Sequence, residues 1–159
     1  MQDAINEQIN KELFSATLYL SMASHFADQN LPGFDAWLRV QVEEERDHGM
    51  KFYDYLVDRG GRVMLNAIAA PRTEWKSSLE AFKEVESHEA KVTASINALH
   101  ELALKEKDYP TQVLLQWFIT EQVEEEKNAE EIVQQLELID AHGTAVMMLD
   151  HRLGKRGGD

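Results

Sequence analysis

RGGRVMLNAIAAPRTEWKSS, residues 59–78, is the one long stretch of this chain with no hydrophobic period. Gly60-Gly61 stops whatever helix precedes it, and Ser77 or Ser78 has the character of an N-cap for the helix that follows. The link between them is roughly 16 residues, which at ~3.3 Å each spans about 50 Å. A connection of that length without structure of its own needs a reason inside a compact domain. The reason lies on either side of it. Apolar residues at alternating three- and four-residue steps predict four helices, over about 3–29, 33–59, 78–107 and 110–141. Asn30-Leu31-Pro32-Gly33 and Asp108-Tyr109-Pro110 are short turns, so each flanking pair is an antiparallel hairpin. A helix of about 27 residues is ~40 Å long. The 59–78 link is therefore long enough to run the length of a bundle and start the third helix parallel to the second. His142-Gly143 breaks the fourth helix, a short fifth follows over 144–153, and 154–159 is expected as a flexible polar tail. The expected fold is all-α: one domain, residues 1–159, built as a four-helix bundle with one long crossover and a short C-terminal helix.

Composition agrees and narrows the function. Only 8 Gly and 3 Pro occur in 159 residues, which suits helix. Cysteine is absent, excluding disulfides, thiolate metal sites and a cysteine nucleophile. The polar start Met1-Gln2-Asp3-Ala4 has no export-signal pattern, and no apolar run approaches the ~20 residues that cross a bilayer. A cytoplasmic protein with no membrane partner is the expectation. A net charge of −13 opposes nucleic-acid binding and is compatible with attracting cations, although acidic charge alone is commonly just a solvated surface.

Position says more than net charge. In the first helix Ile5, Ile9, Ala16, Tyr19 and Ala23 share a row, and the step between Ile9 and Ala16 lands on Glu12. Between Leu38 and Phe52 the second helix gives Gln41, Glu45 and His48; between Phe82 and Ile96 the third gives Glu86, Glu89 and Thr93; between Phe118 and Ala129 the fourth gives Gln122 and Glu125. Every stripe is apolar at both ends and acidic or amidic in the middle. Buried unpaired carboxylates are costly and four of them repel, whereas a cation at their meeting point removes both costs. Glu45 and His48 at i and i+3 share one face, and Gln122 and Glu125 repeat that spacing. Oxygen ligands with a single imidazole suit iron or manganese. An offset of 77 relates Glu12 to Glu89, Glu45 to Gln122, His48 to Glu125 and Glu44 to Glu121. Two metals about a pseudo-twofold axis are expected, made inequivalent by having His48 on one side and Glu125 on the other.

Asn10-Lys11-Glu12-Leu13-Phe14-Ser15, Glu44-Glu45-Arg46-Asp47-His48, Asp108-Tyr109-Pro110-Thr111, Leu115-Gln116-Trp117-Phe118 and Glu121-Gln122-Val123-Glu124-Glu125-Glu126 together resemble the bacterial non-haem ferritins, over nearly the whole chain. The resemblance implies the ferritin-like bundle, storage of iron, and ferroxidase activity toward Fe(II) with O2 or H2O2. Glu12, Glu45 and His48 match the ligands of one iron; Glu45 bridges to a second held by Glu89 and Glu125, with Gln122 close by. Glu44, Glu121 and Glu124, with Glu125, match a third, inner-surface iron site, and Tyr19 matches a tyrosine beside the centre that serves as electron donor. The resemblance alone implies a homo-oligomeric cage of twenty-four subunits that holds ferric oxyhydroxide. Arg46 stands where bacterioferritins carry a haem-ligating Met, so no haem is expected. The first turn of the fourth helix lacks acids, which disfavours an acidic three-fold funnel of the animal-ferritin kind.

Each feature also has a plainer reading. Any one of the four acids or His48 could be a satisfied core polar group, Glu124-Glu125-Glu126-Lys127 a solvated face, and Tyr19 a hydrogen-bonded core tyrosine. A di-iron or di-manganese oxidase of a small molecule would use the same ligands but hold two metals per chain. A metal-free helical interaction protein would show no iron dependence. The remaining histidines, His25, His88, His100, His142 and His151, have no carboxylates at ligand spacing, and Trp37, Trp75, Trp117 and Met147-Met148 suit packing or interfaces.

Overall fold

In the computed structural model, residues 1–139 and 143–156 are described. The expected end of the fourth helix at 140–141, the break at His142 and the last tail residues, 157–159, lie outside them. Five helices occupy the rest: α1 Gln2–Asp28, α2 Pro32–Asp58, α3 Ser78–Glu106, α4 Tyr109–Ile139 and α5 Gly143–Leu153.

The ends of these helices follow local chemistry. Ser77 is the N-cap of α3, its Oγ accepting from Glu80 N at 3.1 Å, while Glu80 Oε2 accepts from Lys76 N at 2.6 Å. Asn30, with φ 56, and Lys107, with φ 57, turn left-handed to close α1 and α3. The start of α2 has no cap from its own neighbourhood. Asp150 of α5 supplies one instead, its Oδ1 accepting from Gly33 N at 2.7 Å and Phe34 N at 2.9 Å. A Cβ on residue 33 would lie 1.7 Å from the Asp150 carbonyl oxygen, so only glycine permits this seat for α5.

The crossover runs as expected, and its missing period now has an explanation. Its backbone is held by polar side chains one turn apart on α1: Gln2 Oε1 accepts from Arg62 N, Asn6 bonds both Arg62 O and Met64 N, and Asn10 Oδ1 accepts from Asn66 N. Farther along, Ser21 Oγ donates to Arg72 O at 2.7 Å, and Trp75 is buried with Nε1 donating to Glu84. These bonds hold the link to α1 without a helix or sheet, so its side chains need no pattern. Arg59 pairs with Asp108 at 2.9 Å where α2 and α3 end, and Trp37 meets Phe82 at 5.4 Å where they begin. The two helices are thus parallel, and α1–α2 and α3–α4 are the antiparallel hairpins.

The core is in two pieces. One apolar cluster gathers Tyr19, Phe26, Phe34, Trp37, Phe82 and Leu136. The other gathers Ile5, Ile9, Phe52, Ile96, Leu115 and Phe118, with Phe52 and Phe118 stacked at 4.0 Å. Between them lies a layer of buried acids and amides.

Candidate metal centre

Each long helix contributes to that layer from mid-length, flanked by apolar residues above and below. Glu12 of α1, Glu45 and His48 of α2, Glu89 of α3, and Gln122 and Glu125 of α4 are all 4% exposed or less. One ligand atom each from Glu12, Glu45 and His48 lie within 4.8 Å of one another. His48 Nδ1 is 3.7 Å from Glu45 Oε2, and the His48 ring is fixed edge-on by Trp117 and Phe118 at 5.5 and 5.9 Å.

Hydrogen bonding divides the layer unequally. Glu89 is held on both oxygens, with the Tyr19 hydroxyl donating to Oε1 and Gln122 Nε2 donating to Oε2 at 3.2 Å. Gln122 also reaches Thr93 Oγ1 at 3.2 Å, and Glu125 Oε2 accepts from Gln41 Nε2 at 2.8 Å. Glu12 Oε1 accepts from Gln8 Nε2 at 2.8 Å. Glu12 Oε2 and both oxygens of Glu45, however, have no hydrogen-bond partner at all. Orphaned buried carboxylate oxygens are rare in native proteins and call for an ion or a function. Among the described residues these three are the only buried side-chain atoms left without a partner, and one oxygen of each carboxylate lies within 4.8 Å of a His48 nitrogen.

The electrostatics match. Burial, then the charge of Glu45, pushes Glu12 well above the usual carboxylate range. Burial, then Glu89, does the same to Glu45. Glu89 is raised by burial, and Glu125 is pushed up to about 7 by burial and then by Glu89. Burial and the Glu89 charge raise the Tyr19 phenol far enough to keep it neutral and donating. Without a cation this layer retains protons; a cation displaces them.

The acids at 44, 121 and 124 are less enclosed. Glu44 and Glu121 are half-buried and Glu124 is exposed. Burial raises Glu44, Arg156 opposes the shift, and the charges of Glu121 and Glu124 add to it. Glu44 Oε2 accepts from Arg156 Nη2 at 2.9 Å. That contact was not foreseen, and neither was Gln8. Gln8 stands one helical turn before Glu12, at the i, i+4 spacing of side-chain pairs, and that signal was available in the sequence. Arg156 sat in a stretch expected to be a flexible tail and carried none. Glu86 shares the row of Glu89 but is half-buried and outside the layer's hydrogen bonds. His25, its side chain largely covered, lies 3.9 Å from the exposed Glu74, and His88 pairs with Ser15 Oγ at 2.8 Å, its pKa lowered to about 4 by burial.

Residues 2–139 match the family described as Ferritin: Ferritin-like domain. The chain belongs to the ferritin family. This ferritin is 40% identical over 157 residues to the bacterial non-heme ferritin of Staphylococcus haemolyticus (strain JCSC1435), covering 99% of this chain and 95% of that one. It is 39% identical over 156 residues to the bacterial non-heme ferritin of Bacteroides fragilis (strain 638R), covering 98% and 97%. Among solved structures it is similar to an open pore ferritin from the hyperthermophilic archaeon Archaeoglobus fulgidus, with a TM-score of 0.96 and 49% identity over 97% of this chain and 95% of that one. Iron storage is the function that this membership carries. No helix among the described residues of this ferritin is long and apolar enough to cross a membrane.

Proposed function

We propose that this ferritin oxidises Fe(II) at the acid layer before storing it. The observation that carries this is the trio of orphaned oxygens on Glu12 and Glu45 beside His48, in a buried polar layer between two apolar clusters. One Fe(II) is taken by Glu12, Glu45 and His48. The second is taken by Glu89 and Glu125, with Glu45 shared between the two and Gln122 beside the second. Each Fe(II) gives up one electron. The pair reduces O2 with two protons to H2O2, or H2O2 with two protons to two waters. Carboxylates favour the more highly charged Fe(III), and protons displaced from Glu12, Glu45 and Glu125 on metal binding are available locally. Tyr19, buried and donating its hydroxyl to Glu89, fixes that carboxylate beside the second iron. Glu44, Glu121 and Glu124, with Glu125, form a third iron site through which product leaves toward the mineral.

The same reading places ferric oxyhydroxide inside a cage of twenty-four subunits in the cytoplasm. Similarity to an open-pore ferritin supports admission of iron through openings between subunits, which agrees with the absence of acids in the first turn of α4. The test is aerobic Fe(II) addition to iron-free protein, followed by gel filtration and iron counting. Hundreds of ferric ions in a large particle are expected, and Glu45→Ala should abolish the fast phase of oxidation. Two irons per chain on a small oligomer would instead indicate an oxidase of another substrate, and wild-type rates in Glu45→Ala would overturn the assignment of the centre.

A further inference from the structure

The C-terminal segment brings one guanidinium to the edge of the acid layer. After α5 the backbone continues through helical turns, with Gly154 N donating to Asp150 O and Arg156 N to Leu153 O. The Arg156 guanidinium lies 4.6 Å from the centre of the Trp37 ring and donates through Nη2 to Glu44 Oε2 at 2.9 Å. Through Nη1 it donates to Gln41 Oε1. Gln41 is fully buried, and its other end, Nε2, donates to Glu125 Oε2 at 2.8 Å.

A primary amide has one accepting end and one donating end, and its neighbours decide which way it faces. Arginine has donors only. With Arg156 in place, Gln41 must turn its oxygen outward and its NH2 inward. The NH2 then holds Glu125 by one oxygen and leaves the other free. Remove the guanidinium, and the amide can rotate to face Glu125 with either end.

We infer that Arg156 is a positioning residue for the second iron, acting through the Gln41 amide on Glu125 without touching metal. The inference rests on the reading of Glu125 as an iron ligand. Trp37, itself 4% exposed and packed on Phe82, and Glu44 anchor the guanidinium from two other sides, so its two-pronged reach is held rigidly. The seat of α5 on Gly33 delivers the segment to this place.

Cobalt(II) titration of the assembled, iron-free protein under argon tests this, followed by calorimetry and by the visible bands of bound Co(II). Wild type should bind two Co(II) per chain in the layer. Arg156→Gln and Arg156→Ala should keep the first and weaken the second by about 10- to 100-fold, the usual loss when an outer hydrogen-bond partner of a ligand is removed. Gln41→Leu should weaken the second similarly, and the double variant Arg156→Gln/Gln41→Leu should lose little more, because the two residues act in series. A loss spread equally over both cations, additive losses in the double variant, or unchanged affinity in both Arg156 variants would each overturn the inference. Glu45→Ala is the control for the underlying site. If it binds both cations normally, the reading of the centre fails; if it loses them while Arg156→Gln binds both as wild type does, only the role of Arg156 fails.

Discussion

Glu45 is the residue at which metal binding and stability of the empty subunit should oppose each other most sharply. It is 1% exposed, neither of its oxygens has a hydrogen-bond partner, and burial together with Glu89 pushes its carboxyl well above the usual range. Leaving a buried polar group unsatisfied costs about 1–3 kcal/mol. Replacing such an unsatisfied carboxyl by an apolar side chain of similar volume removes that cost and leaves no hydrogen-bond partner stranded. Methionine follows the unbranched path of glutamate and tolerates irregular space. Glu45→Met is therefore expected to stabilise the iron-free protein by about 1–3 kcal/mol, a rise in Tm of roughly 2–4 °C per kcal/mol for a domain of this size. The same variant should lose nearly all of the further rise in Tm that wild type shows when Fe(II) is added without oxygen. Scanning calorimetry on iron-free assemblies, with and without Fe(II), reads both effects. A destabilised iron-free variant, or one that keeps the Fe(II)-dependent shift, would refute the argument that this carboxylate is kept for a cation at the expense of the core.

Glu125, pushed up to about 7 from an ordinary value near 4.5, keeps a proton in the native state that the unfolded chain has already lost. Stability of the iron-free protein should therefore fall as pH rises from about 5 through about 7, by on the order of 2–3 kcal/mol, and denaturant titration at each pH should show that slope shrinking in the Glu125→Gln variant. Gly33→Ala drives a Cβ to within 1.7 Å of Asp150 O, so α5 should lift from α2 with loss of the Asp150 cap and of Leu149 and Leu153 burial; about 3–6 kcal/mol is at stake, read by denaturant midpoint and by proteolysis near residue 150. Asn6→Ala removes two bonds to the crossover and should cost about 1–2 kcal/mol while speeding amide exchange at Met64 and leaving Fe(II) oxidation unchanged.

The fold was legible because its oddest part, the 59–78 stretch, is too long for an ordinary turn and of the right length for a crossover. The acid layer was legible for a related reason. Glu12, Glu45, Glu89 and Glu125 each stand where a helix row calls for an apolar residue, and burying a charge without purpose is expensive enough to make the exception informative. The hydrogen bonds that support those acids could not be read in the same way. Gln41, in a helix row, gives no sign that its partner is Glu125, and Arg156 reaches Gln41 and Glu44 across more than a hundred residues. Spacing reports contacts along one helix; it is silent about contacts that only packing creates. The crossover's hold on α1 through Gln2, Asn6 and Asn10 was hidden likewise, since in a sequence amides off the apolar row look like any solvated surface.

The division of the core also bears on the order in which the chain assembles. Each hairpin joins neighbours in sequence, and contacts of that kind form quickly. Phe26 with Phe34 and the Asp108 turn are internal to a hairpin, so α1–α2 and α3–α4 can build before they meet. Glu12 and Glu45 already share a hairpin, as do Glu89 and Glu125, but all four oppose one another only when the hairpins dock. By then two apolar clusters, one at each end, are available to hold the halves together against that repulsion. The acids of the two hairpins thus meet only where the hairpins dock. A chain arranged in this way needs no cation as a nucleus; it can finish as an empty vessel and be filled afterwards.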